Sequence, residues 1–168
     1  MSFDPRRQLD TATAFFLAGE RCSLDLRFKG YAFHEVRSPS IVNYAFSVEL
    51  ALKLIHVLTL GVSAGGHDLG KLYMKLPEAT RANLPHLAEC VAEIARYFED
   101  WRYRFEKDFL FGDYENPRRA FIECYREIRR QQPELVSVYE SQWGGFDPEW
   151  VQSWPEDQPR WELRLVRA

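Results

Sequence analysis

The sequence has few cysteines and none of the common motifs for metal or phosphate chemistry. Its three cysteines, Cys22, Cys90 and Cys124, are odd in number and far apart, which gives neither a disulfide framework nor metal-ligand spacing. A phosphate-binding glycine loop, an HExxH motif and a GxSxG nucleophile elbow are all missing. We therefore expect no metal and no cofactor, and we expect buried free thiols in a reducing compartment.

Long hydrophobic runs and a strong charge of either sign are also missing. No uninterrupted apolar run reaches the roughly 18 residues of a membrane span, and the first ten residues, MSFDPRRQLD, lack the apolar segment of a signal peptide. We expect a cytoplasmic protein with no membrane partner. The formal net charge of -3 argues against avid, nonspecific polyanion binding, but it leaves room for a local basic surface that binds a short nucleic acid.

Apolar residues recur at intervals of three and four, which predicts helices. The first such stretch has a narrow line of small residues where a partner helix can approach closely; its members are Ala12, Phe15, Gly19, Cys22 and Leu26. Nearly every position from 41 to 60 is apolar, over a length too great for one strand. This segment is the predicted central helix, which starts near Ser38-Pro39 and stops at Gly61.

Further helices are predicted in the second half of the chain. Asp68 caps a short helix over 69–76 that ends at Pro77. Asn83 caps a long helix with clear periodicity from Leu84 to Phe105. Asn116-Pro117 opens the last helix, and Pro133 closes it; its predicted buried side is Phe121, Cys124, Tyr125 and Ile128. The segment 28–39 shows no period and is predicted to be a loop.

These elements predict an all-α bundle of four to five helices, with the first two long helices antiparallel. Residues 133–168 form a tryptophan/proline-rich C-terminal extension, which carries Trp143, Trp150, Trp154 and Trp161. Because so many tryptophans favour burial, we expect this extension to pack on the bundle or on a second subunit.

Polar residues interrupt the apolar central helix at helical spacing. Glu49 and Lys53 are four residues apart, and His56 follows one turn later. His67 and Asp68 come after two glycines, where both side chains can face a groove. These residues are either the polar lining of a binding site or structural features: an ion pair at the bundle edge, a satisfied histidine and a plain N-cap.

Arginines flank the aromatic side of the stretch FEDWRYRFEKDF, residues 98–109. Arg102 and Arg104 lie beside Trp101 and Phe105, an arrangement that suits a phosphate and a base. The alternative is a solvated row of salt bridges that includes Arg102 and Glu106. The last helix carries five arginines, Arg118, Arg119, Arg126, Arg129 and Arg130. Internal pairing is predicted to explain most of them, because Glu123 lies four residues from Arg119 and three from Arg126, and Glu127 lies three from Arg130.

The stretches SVELALK, GGHDLGKLY and FEDWRYRFE, in this order, resemble the HEPN family of helical bundles over roughly residues 8 to 132. Members of that family occur with nucleotidyltransferases, in toxin-antitoxin pairs and in phage defence. The resemblance implies a four- to five-helix up-and-down bundle over residues 8–132. It also implies a homodimer whose late helices build a shared cleft, with a nucleotidyltransferase or antitoxin as a further partner. In catalytic members an R-x4-6-H motif cleaves RNA without metal.

This chain departs from that motif. Arg102 stands where the family's arginine is expected, but Glu106 and Lys107 stand where the histidine belongs. Near neutral pH, lysine normally stays protonated and glutamate ionised, so neither shuttles protons as histidine does. The first hypothesis is therefore a HEPN-like module that binds nucleotide, RNA or a partner protein without the standard nuclease motif.

The predicted ligand-binding residues are Glu49, Lys53, His67, Asp68, Arg102 and Arg104. Two alternatives stay open. One is a metal-independent endoribonuclease that uses His67, Arg102 and Glu106 as its catalytic candidates, and the other is a structural dimerisation or adaptor protein.

Overall fold

The computed structural model describes residues 3–23, 26–28, 31–33, 37–100 and 115–148, with side chains for 3–23, 39–96 and 115–148. The regular secondary structure of this part of the chain is helical apart from one short hairpin, which confirms the predicted all-α class. The elements are α1 (Pro5–Cys22), β1 (Leu26–Phe28), β2 (Tyr31–Phe33), α2 (Arg37–Leu60), α3 (Leu69–Met74), α4 (Glu78–Arg81), α5 (Pro85–Asp100), α6 (Glu115–Gln131) and α7 (Pro133–Gln142).

Helix α1 packs antiparallel to α2, as predicted. The Gln8 side chain donates to the carbonyl of Leu50 at 3.0 Å near the start of α1, whereas Tyr44 bonds Glu20 near its end. The small-residue line is confirmed at Gly19, where an added Cβ would lie 2.5 Å from the Tyr44 ring. Because α1 ends at Cys22, the predicted last member of that line, Leu26, lies in β1 instead.

Helix α6 lies beside α2 and runs parallel to it. Phe121 near the start of α6 stacks on Phe16 of α1 with ring centroids 4.5 Å apart, and Gln131 at its end bonds Thr59 at 3.0 Å. The predicted buried side of α6 is confirmed, since these four residues are all fully buried: Phe121, Cys124, Tyr125 and Ile128.

Helix α2 forms the centre of the bundle and contacts α1, α3, α5 and α6. By length and composition alone, its segment Pro39–Leu60 is apolar enough to cross a membrane, and 61% of the tested window is buried inside the protein. Burial on several sides explains why this helix is apolar around nearly its whole circumference.

Helix α7 packs on α6 and α1 through Leu135, Val136 and Tyr139. Arg129 of α6 holds the end of this segment by bonding Glu140 at 2.5 Å and Asp147 at 3.3 Å. Trp143, which follows α7, remains 63% exposed. The rest of the tryptophan-rich extension, residues 149–168, lies outside the described residues.

Two predictions about element boundaries are wrong, and one short helix was not predicted. The predicted loop over 28–39 contains β2 and the first residues of α2, because a three-residue strand is too short to show alternation. The short helix predicted over 69–76 ends at Met74. Pro77 then precedes the four-residue helix α4, which is too short for a periodic signal.

Candidate functional site

A buried carboxylate on the central helix organises the polar residues that the sequence singled out. Glu49 is 1% exposed, and its Oε1 accepts hydrogen bonds from Lys53 Nζ at 2.7 Å and from His67 Nδ1 at 2.9 Å. Its Oε2 is buried and has no hydrogen-bond partner among the residues that the structure describes. We call Glu49, Lys53 and His67 the Glu49 cluster.

Local sequence brings these three groups together. Lys53 follows Glu49 by one helical turn, which places both side chains on one face of α2. Gly61 and Gly66 adopt positive φ values of 69° and 92°, conformations that favour glycine, and the turn they form returns His67 to α2. The structure therefore joins three of the predicted ligand-binding residues in one hydrogen-bonded group.

His56 lies further along α2 than Lys53 and connects this helix to α3. It is 1% exposed, and its Nε2 lies 2.7 Å from the carbonyl oxygen of Leu72. Because a carbonyl only accepts, Nε2 carries the proton. His56 is thus a histidine whose hydrogen bond is satisfied within the fold, the structural alternative in the sequence analysis.

The cluster lies at the surface even though its carboxylate is buried. The Lys53 side chain is 17% exposed and that of His67 is 74% exposed. A carboxylate removed from water needs cationic or hydrogen-bonding partners, which the ammonium and the imidazole supply. Both groups therefore stabilise Glu49, and the Lys53 ammonium keeps further donors for a ligand.

Asp68 caps α3, which agrees with its interpretation as a plain N-cap. Its carboxylate accepts from the backbone N–H of Lys71 at 2.9 Å and pairs with the Lys71 ammonium at 3.0 Å. The backbone hydrogen bond from Lys71 is the main cause that lowers the pKa of Asp68. The described bonds of Asp68 thus hold the start of α3, and none of them joins Asp68 to the Glu49 cluster.

The remaining predicted site residues, Arg102, Arg104 and Glu106, lie in 101–114, outside the described part of the chain. The predicted cleft shared between Arg102 and the central helix therefore remains a prediction.

A second polar network joins three helices and was missed from the sequence. Glu20 Oε1 accepts from Tyr44 Oη at 2.9 Å and from Arg118 Nε at 2.5 Å, and Arg118 is 8% exposed. Burial is the main cause that raises the pKa of Tyr44, and the charge of Glu20 adds to it. Arg118 is thus one of the arginines of this helix that do not pair internally, since its described partner is 98 residues away.

Acidic residues of α6 fix neighbouring elements. Glu123 accepts from the backbone N–H groups of His86 at 3.0 Å and Leu87 at 2.9 Å, and so caps α5, the role predicted for Asn83. The fully buried side chain of Glu127 is bonded by Arg130 and Gln131. Burial raises the pKa of Glu127, but the bonds from Arg130 and Gln131 outweigh it and lower the pKa overall.

Among the described residues, no group of three or more His, Cys, Asp or Glu side chains could hold a metal ion. Comparisons of the whole chain with protein-family models, curated proteins and solved structures find no match. The resemblance to the HEPN family therefore rests on the three sequence stretches alone.

Proposed function

We propose that this chain is a HEPN-like helical module that binds a nucleotide or a short RNA at the Glu49 cluster. The supporting observation is that one buried carboxylate oxygen holds both the Lys53 ammonium and the exposed His67 imidazole. An ammonium has three donors, so the bond to Glu49 leaves others for a phosphate. Phosphate contacts of this kind provide much of the affinity for nucleic acids.

The proposal also explains why charged residues occur on the most apolar helix of the bundle. A buried ion pair is weak evidence for stability, because desolvation offsets much of the attraction between the charges. A surface site that needs preoriented donors gives a reason to keep it. Arg102 and Arg104 are proposed to contribute further phosphate contacts from the later part of the chain.

Binding is tested with a fluorescently labelled, mixed-sequence single-stranded RNA and, separately, with ATP. Replacing Lys53 by Met removes a phosphate donor, and we expect the Kd to rise by about tenfold, which corresponds to the loss of one charge-assisted bond. The matched control is Lys75→Met, which removes an equal charge from an exposed lysine outside the cluster. Fluorescence anisotropy with both variants measures the difference.

Lys53→Met also leaves Glu49 with one cation fewer, so circular dichroism must show that the variant folds. His67→Ala is the second variant, because truncating a 74% exposed side chain spares the core. Equal weakening by Lys53→Met and Lys75→Met, with His67→Ala binding as the unmodified chain does, would remove the cluster from the binding site.

A second candidate function, RNA cleavage without the standard motif, is favoured by the orientation of His67. Since Glu49 occupies Nδ1, the exposed imidazole offers Nε2 to a ligand, which is how carboxylate-oriented histidines act as general bases. The same RNA, run on a denaturing gel, separates the two functions. Cleavage that His67→Ala abolishes while binding persists would establish the second.

The homodimer and the nucleotidyltransferase or antitoxin partner belong to the same proposal and rest on the resemblance. Light scattering of the purified chain gives its mass in solution. A stable dimer that binds neither RNA nor nucleotide would favour the structural adaptor function.

A further inference from the structure

One atom of the Glu49 cluster has no hydrogen bond to the other members of the cluster. Glu49 Oε2 is buried and lacks a hydrogen-bond partner among the described residues, whereas Oε1 accepts two bonds. An unsatisfied buried polar atom is unfavourable and uncommon in folded proteins. Glu127 shows what a purely structural glutamate looks like in this fold, since both its oxygens accept bonds from Arg130.

The exposed imidazole that bonds this carboxylate can move away from it. On the described side, His67 bonds Glu49 from a turn that contains Gly65 and Gly66, and a Cβ added at either glycine would meet nothing within 4 Å. The imidazole is 74% exposed, so it can rotate into solvent without disturbing the core. Because the carboxylate is buried, a ligand reaches it when this side chain turns aside.

We propose that Glu49 determines specificity at this site by accepting a hydrogen bond at Oε2 from a ribose hydroxyl of the bound ligand. This inference rests on the proposed binding function. A carboxylate only accepts, so its partner must be a donor, which excludes the phosphate oxygens. The ribose 2′-hydroxyl is a donor close to the phosphate, and it is the group that distinguishes RNA from DNA.

The cluster therefore combines two complementary contacts. Lys53 presents its ammonium to the phosphate, and Glu49 offers the acceptor to the adjacent sugar. An acidic side chain bonded to a ribose hydroxyl is a recurring solution in nucleotide sites. The site selects ribonucleotides over deoxyribonucleotides.

The test compares three labelled single strands of identical base sequence: RNA, DNA and 2′-O-methyl RNA. The methyl ether keeps the ribose oxygen but removes the hydroxyl donor. We expect the full-length chain to bind RNA about tenfold more tightly than either other strand, the ratio for one hydrogen bond to a charged group. Anisotropy titrations at one salt concentration give the three Kd values.

Glu49→Gln keeps the side-chain shape and removes the charged acceptor, so this variant is expected to bind the three strands within about twofold of one another. Glu134→Gln is the matched control, because it makes the same substitution at an exposed carboxylate of α7, outside the cluster. The control is expected to keep the full preference for RNA.

Equal binding of RNA and 2′-O-methyl RNA by the unmodified chain would overturn this inference and leave the binding function standing. A preference for RNA that survives Glu49→Gln would also overturn it. Absence of binding to all three strands would overturn the proposed function, and this inference with it.

Discussion

At the scale of single residues, buried carboxylates divide into two kinds. Glu127 has both oxygens bonded by cationic or amide donors and fixes its own helix. Glu49 has one oxygen bonded twice and the other bonded to no described residue, and one of its partners is an exposed histidine. The first arrangement is complete without a ligand, whereas the second leaves an acceptor for one.

The buried cysteines provide a prediction about single side chains. Burial, with a smaller contribution from Glu123, raises the pKa of Cys90 to about 12, and burial raises the pKa of Cys124 as well. Only the thiolate reacts with iodoacetamide, so at pH 8 we expect both to be alkylated at least about a hundredfold more slowly in the native chain than in urea. Mass spectrometry of timed samples measures the rates.

The same shift predicts a pH dependence with a definite sign. Because the folded pKa of Cys90 is above that of an unfolded cysteine, unfolding releases its proton more readily, and stability falls as the pH rises above about 8.5. Native alkylation of Cys90 as fast as that of a free thiol would contradict the described burial.

At the scale of helices, the close contact of α1 with α2 depends on Gly19. Exposed helical glycine normally costs stability relative to alanine, but here a Cβ would lie 2.5 Å from the buried Tyr44 ring, whose hydroxyl is held by Glu20. Gly19→Ala is therefore expected to lower the free energy of unfolding by about 1–3 kcal/mol through overpacking. Urea unfolding followed by circular dichroism measures it.

Gly65→Ala is the control for that substitution, because a Cβ there meets nothing within 4 Å and its φ is not in the left-handed region. We expect its effect to stay within about 0.5 kcal/mol of the unmodified chain. If Gly19→Ala were as stable as Gly65→Ala, the helices would be farther apart than described.

The helices were predictable where the signal was local and long. The apolar run of α2, the cap of α3 at Asp68 and the buried face of α6 follow from spacing within one segment. The hairpin β1–β2 and helix α4 were missed because three or four residues are too few to show a period.

At the scale of the whole molecule, predictability falls with sequence separation. Glu49 and Lys53 could be paired from the sequence because they are one turn apart, and the glycines before His67 indicated a turn toward a groove. The unpartnered Oε2 of Glu49 depends on packing and carries no sequence signal. The bond from Arg118 to Glu20 spans 98 residues, so only the fold reveals it.

The whole molecule also sets where a ligand must act. The Glu49 cluster lies on α2 and on the turn over 61–68, which leads into α3, whereas α7 packs on α6 and α1. Binding at the cluster therefore predicts a change confined to the turn and α3, while binding elsewhere on the bundle predicts a change in other segments.

The most direct measurement is hydrogen–deuterium exchange of the full chain with and without saturating single-stranded RNA. Backbone amides in the exposed turn exchange quickly in the free chain, so slower exchange there is easily detected. We predict slower exchange in peptides that cover 61–73, with those that cover 115–148 unchanged. Protection confined to 115–148, with 61–73 unaffected by bound RNA, would contradict binding at the Glu49 cluster.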